Sequence, residues 1–175
     1  MDLTARLRVF HGSDVPGGPG VTEGQTYQTL IGTGDQPTDR VRLGRATYRP
    51  DTLERLHWHP IEALYYVISG HAVVRDIEGN EYEVRAGSLV YAPAGIEGAH
   101  EWQVRESLEL LDIRATNETN RKMQFTVDKE TLVSSISLHE LVRREGRAFP
   151  SHSDGAGPAR PGRAAAPRGS PAPPG

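Results

Sequence analysis

His57-Trp58-His59-Pro60-Ile61-Glu62-Ala63-Leu64-Tyr65-Tyr66-Val67-Ile68-Ser69-Gly70 is the stretch on which the fold turns. It contains two apolar, β-prone runs joined at a proline corner and closed by a glycine. On an extended strand side chains alternate faces with period 2, so His57 and His59 point to one side and Trp58 to the other. Two imidazoles on one face can share a metal ion, although the same spacing also suits a solvated strand face. A third imidazole follows in Gly87-Ser88-Leu89-Val90-Tyr91-Ala92-Pro93-Ala94-Gly95-Ile96-Glu97-Gly98-Ala99-His100. A neighbouring strand of a small barrel would bring His100 alongside the pair. The other histidines, His11, His71, His139 and His152, stand alone and are read as surface or hydrogen-bonded residues.

Outward from that stretch the chain is a series of short alternating runs separated by turn residues: 43–49, 54–59, 63–69, 71–76, 81–85, 88–92, 100–105 and 107–115. Ser69-Gly70 and Glu78-Gly79-Asn80 supply the positive-φ positions that tight reversals need. Eight short strands at this spacing predict an all-β sandwich or barrel over 41–116. Residues 1–40 read as an N-terminal arm with short strands, one of them Tyr27–Ile31. Residues 117–146 read as a C-terminal strand (Met123–Val127) and one helix (Ser137–Glu145) packed on the barrel. Ser137 and Glu140 form a capping box there, and Gly146 is the stop. The Pro/Gly/Ala-rich segment 147–175 cannot bury enough surface to offset its ordering entropy and is expected to be disordered.

Composition narrows the chemistry. The 175 residues carry a formal net charge of -3, which leaves no electrostatic footprint for nucleic acid. No apolar run is long enough for a membrane span, and Met1–Arg6 lacks the layout of a secretory signal, so a cytoplasmic location is expected. With no cysteine, any bound metal must take nitrogen and oxygen donors. Tyr65 shares a strand face with Ala63 and Val67, so its phenol should look inward. Trp58 should pack on another layer.

The two motifs resemble those of the cupin superfamily, G(x)5HxH(x)3-4E(x)6G and G(x)5PxG(x)2H(x)3N, over roughly residues 40–115. Counted from Gly70, the family's metal-binding glutamate would fall on Ala63, while Glu62 sits one place earlier. Counted from Gly95, its histidine would fall on Gly98, while His100 stands two places on. Asp51 replaces the opening glycine, and Trp102 replaces the closing asparagine. A two-residue shift keeps His100 facing inward. A one-residue shift reverses Glu62 unless the Pro60-Ile61 corner holds a bulge.

The resemblance implies a double-stranded β-helix (jelly roll, the cupin barrel) and one divalent metal ion held by His57, His59 and His100. It is similar to the thiol and diketone dioxygenase branches, in which three histidines alone hold iron. On that basis Fe(II) is favoured, with Mn, Zn, Ni or Cu as the other candidates. The implied function is a non-haem Fe(II) dioxygenase acting on an anionic chelating small molecule, with Glu62 and Tyr65 as candidate catalytic residues. The alternatives are a redox-neutral lyase, isomerase or cyclase of the polyketide or sugar-acid type, and a non-catalytic ligand-binding barrel. A homodimer is the expected assembly, because open jelly-roll edges are usually covered.

Overall fold

The computed structural model describes residues 7–32, 36–38, 41–114 and 124–136. Eleven strands are found among them: β1 (Gly18–Pro19), β2 (Gln25–Ile31), β3 (Arg42–Tyr48), β4 (Leu53–Trp58), β5 (Ala63–Ser69) and β6 (His71–Asp76). Then come β7 (Glu81–Arg85), β8 (Leu89–Ala92), β9 (His100–Val104), β10 (Leu108–Arg114) and β11 (Phe125–Thr126). The eight runs of the barrel are β3 to β10, each within two residues of its expected ends. The expected helix Ser137–Glu145 and the segment 147–175 lie outside the described residues.

The strands form two antiparallel sheets. One has six strands in the order β1-β2-β3-β10-β5-β8, and the other has five in the order β11-β4-β9-β6-β7. Strands adjacent in space are far apart in sequence (β3 beside β10, β4 beside β9), as in a jelly roll. The all-β double-stranded architecture is therefore the one observed. No helix among the described residues is long and apolar enough to cross a membrane.

The core follows from the alternation. Along β10, Leu108, Leu110, Asp112 and Arg114 are buried and the residues between them are half-buried. On β5, Ala63, Tyr65 and Val67 face in while Tyr66 and Ile68 are exposed. With Ala46, Tyr48, Ala72, Val74, Val84, Trp102 and Val104 they make one apolar cluster between the sheets. Leu110 is 1 % exposed, so truncation to alanine should cost about 2–5 kcal/mol.

A second cluster lies on the outer face of the five-stranded sheet. Trp58 stacks on Phe125 at 4.9 Å between centroids, with Leu56, Val127 and Ile136 around it. Segment 124–136 thus covers that face, and Trp58 points away from the two histidines that flank it.

Gly70 makes the β5–β6 turn with φ +87°, and a Cβ there would sit 2.0 Å from the Ser107 carbonyl oxygen. The same turn carries the chain from the six-stranded sheet (β5) to the five-stranded one (β6).

Candidate metal centre

His57 is the penultimate residue of β4, His59 follows the strand end, and His100 opens β9. His57 and His100 are directly paired across the β4–β9 ladder. The three are buried (1 %, 4 % and 4 % exposed), and one nitrogen from each lies within 4.8 Å of the others. Ring centroids stand 4.9 Å apart for His57–His59, 4.5 Å for His57–His100 and 5.4 Å for His59–His100. Among the described residues no Asp or Glu joins this group.

The rings are oriented as metal ligands are. His57 Nδ1 donates to the Arg55 carbonyl and His100 Nδ1 to the Gly98 carbonyl, both at 2.7 Å. Fixing Nδ1 as the protonated nitrogen makes Nε2 the one that carries a lone pair, the usual arrangement around a bound cation. Burial pushes His57 down to about 4. Burial, with the neighbouring His57, pushes His100 down to about 3. Both are neutral at physiological pH and carry no proton that a metal would have to displace. The donor set therefore fits one divalent ion. Three buried imidazoles and no thiolate suit a first-row ion such as zinc, iron or manganese without selecting among them.

The backbone at 98 has no room for the third histidine. A Cβ at Gly98 would lie 1.9 Å from the Pro93 carbonyl oxygen, so no side chain fits where the family motif has its histidine. Residues 96–98 form a short 3-10 turn instead, and the ladder starts two residues later with His100 facing in.

Glu62 is not brought to the cluster. It lies half-buried just before β5, on the side opposite Ala63 and Tyr65, and its carboxylate accepts a hydrogen bond from Tyr91 at 3.1 Å. No bulge at Pro60-Ile61 re-aims it. Tyr65, by contrast, is at the centre. Its hydroxyl is 3.0 Å from His59 Nε2 and 3.1 Å from His100 Nε2, and it accepts a hydrogen bond from Arg114 Nη2 at 3.1 Å. Trp102 holds the ring edge-on at 5.3 Å.

The carboxylate that does approach the cluster is Glu54. Its Oε1 stands 3.7 Å from His57 Nε2. Glu54 accepts from Tyr48 Oη at 2.9 Å and from Gln124 Nε2 at 3.2 Å, and Gln25 Nε2 donates to the same Tyr48 oxygen at 2.7 Å. Burial raises its pKa, against the pull of the Tyr48 hydrogen bond. His57 is three positions after Glu54, an odd offset that on a regular strand puts them on opposite faces. The β4–β9 register slips by one residue between them, three steps on β4 matching two on β9. This bulge turns Glu54 inward, and parity counting on the sequence had no means to show it.

On the facing sheet, Arg114 Nε pairs with Asp112 Oδ1 at 2.7 Å, and Tyr27 Oη donates to Asp112 Oδ2 at 3.0 Å. These residues were missed too, yet the signal existed: Asp112 and Arg114 occupy inward parity on β10 after Leu108 and Leu110. A cavity of about 580 Å³, within the range of small-molecule sites, is lined by His59, Tyr65, Glu54, Tyr48, Arg114 and Tyr27 among others. Of the isolated histidines, His71 is at the surface beside Glu83.

Two antiparallel sheets enclosing a buried three-histidine cluster define a metal-site jelly roll. Residues 44–114 match the cupin-domain family, and this stretch carries both the double-sheet fold and the three-histidine cluster. Among solved structures it is similar to the polyketide cyclase RemF from Streptomyces resistomycificus, at 22 % identity and TM-score 0.58, covering 65 % of this chain and 81 % of that one. It is also similar to KdgF from Halomonas sp., at 16 % identity and TM-score 0.54, covering 65 % and 98 %. Bacillus subtilis oxalate decarboxylase OxdC matches at 21 % identity and TM-score 0.56, over 72 % of this chain but only 34 % of that protein. A comparison with curated protein sequences finds no match.

Proposed function

We propose that this protein is a metal-dependent enzyme that moves a proton on a small anionic, chelating substrate without net oxidation, as a cyclase, lyase or isomerase does. The observation that carries the proposal is Glu54: a buried carboxyl group on the wall of the cavity, 3.7 Å from a histidine of the cluster and held by Tyr48 and Gln124. Burying a carboxyl group costs free energy, and a site that tolerates this cost is suited to general acid–base work.

His57, His59 and His100 would hold the metal, which when bound supplies Lewis-acid polarisation of a substrate oxygen. Glu54 carries the proton, taking it at a carboxylate oxygen and returning it to another position on the same molecule. Tyr48 and Gln124 keep its oxygens aimed, and Gln25 fixes Tyr48. Arg114, held by Asp112, presents positive charge to a negatively charged substrate oxygen. The apolar floor of Ala46 and Leu110 limits water in the cavity. The cyclase named among the similar folds is in keeping with this chemistry.

The second reading, an Fe(II) dioxygenase, is favoured by one observation: the cluster holds three imidazoles and no carboxylate. The two separate experimentally. Protein loaded with zinc, manganese or iron is assayed against a panel of β-dicarbonyl, 2-hydroxy-acid and phenolic substrates, with and without oxygen. Turnover that persists anaerobically and falls about 10²–10⁴-fold in Glu54→Gln supports proton transfer. Oxygen consumption matched to product, with Glu54→Gln as active as wild type, would overturn it. A homodimer is also proposed, and a mass of 19.2 kDa by light scattering instead of twice that would contradict it.

A further inference from the structure

We propose that the phenol oxygen of Tyr65 is the fourth protein donor to the metal, taking the place of the carboxylate that the family's first motif carries where this chain has Ala63. The inference rests on the metal-enzyme reading above and deepens it.

The first argument is distance. Donors bound to one ion at the usual 2.0–2.1 Å stand roughly 2.8–3.4 Å from their neighbours, from octahedral to tetrahedral arrangements. The Tyr65 oxygen lies 3.0 Å from His59 Nε2 and 3.1 Å from His100 Nε2, which is the spacing of adjacent ligands. A phenol has one proton, so it can donate to only one of those nitrogens. His100 has already committed its other ring nitrogen to the Gly98 carbonyl. Two nitrogens and an oxygen converging in this way suit a cation between them.

The second argument is parity. Ala63 and Tyr65 are two residues apart on β5, and both are buried on the inward face. Truncation at 63 leaves the carboxylate's place empty, and the longer side chain one rung along reaches into the cluster. The nearby carboxylates do not compete for it. Glu62 faces Tyr91, and Glu54 does not share mutual reach with all three histidines.

The third argument is charge. Arg114 Nη2 lies 3.1 Å from the phenol oxygen, with its own Nε anchored on Asp112. This guanidinium, whose Nη2 also lies 3.5 Å from His59 Nε2, compensates the negative charge a bound phenolate carries. On binding, the O–H bond breaks, the oxygen–metal bond forms and the proton passes to water; no electron changes hands.

The test is spectroscopic. Wild-type protein, Tyr65→Phe and, as a control for another buried phenol, Tyr48→Phe are loaded with iron(III), and their visible absorption and metal affinity are measured. The expected result is a phenolate-to-iron(III) charge-transfer band in wild type and Tyr48→Phe, lost in Tyr65→Phe, whose affinity falls about 10–100-fold. Iron bound by wild type without the band overturns the Tyr65 assignment alone. Unchanged affinity in a folded Tyr65→Phe does the same. Failure of wild type to bind any metal overturns both this inference and the reading beneath it.

Discussion

Glu54 and Glu62 are the same side chain on opposite sides of one corner, and their fates show what a single residue's facing decides. Glu62 precedes inward-facing Ala63 by one position and ends on Tyr91, while Glu54 is turned in by an extra residue in β4. Glu62→Ala is therefore expected to leave metal occupancy intact, whereas His57→Ala, His59→Ala and His100→Ala should each lose it; metal analysis of the four purified variants reads this directly. The imidazoles were legible because an H-x-H pair needs no long-range information to share a face. Glu54 was not, because a bulge is set by the pairing of β4 with a strand some fifty residues away. Gly98 offers a finer check at this scale. Gly98→Ala puts a methyl group 1.9 Å from the Pro93 oxygen, so the turn that delivers His100 must shift, and metal affinity should fall even though no ligand is altered.

Elements were the most readable level, because period-2 alternation and turn chemistry are local. The β6–β7 reversal illustrates it. Asp76 accepts from the backbone N–H of Glu78 and Asn80, each at 2.9 Å, from the Asn80 side chain and from Tyr82 Oη. Burial pushes its pKa up, but the hydrogen bonds from Asn80, Tyr82 and Glu78 outweigh that, and the net shift is downward. A carboxylate with a depressed folded-state pKa adds stability above its unfolded value of about 3.9, lost as pH falls through the folded value. Thermal melts below about pH 4 should therefore fall less steeply for Asp76→Ala than for wild type. At the β5–β6 turn, Gly70→Ala should cost at least about 1–2 kcal/mol from the left-handed backbone alone, with the Ser107 contact adding to it; denaturant melts measure the loss. The strand expected at Met123–Val127 is found as β11, two residues long, while the three-residue turn at 96–98 falls below the length at which a periodic pattern can be counted.

At the scale of the whole molecule, the sheets, the cavity and the cluster are one system. The histidines come from β4, the residue after it and β9 of one sheet, and Tyr65 and Arg114 from β5 and β10 of the other. A cation bound by both sheets opposes their separation, so it acts on folding as well as chemistry. At a hundredfold excess over its dissociation constant, one bound ion stabilises by about 2.7 kcal/mol, or roughly 5–10 °C in melting temperature. Chelator should remove that increment. The double-sheet architecture was not readable from strand patterns alone, since a sandwich and a barrel share them; the motif resemblance supplied it, and the strand order comes from the structure.

The most direct measurement is equilibrium dialysis of the full chain and of His100→Ala against zinc, with bound metal counted by elemental analysis. One equivalent in wild type and a loss of at least about 100-fold in affinity in the variant is the predicted result. Equal occupancy of the two proteins would contradict the claim that three imidazoles hold one ion.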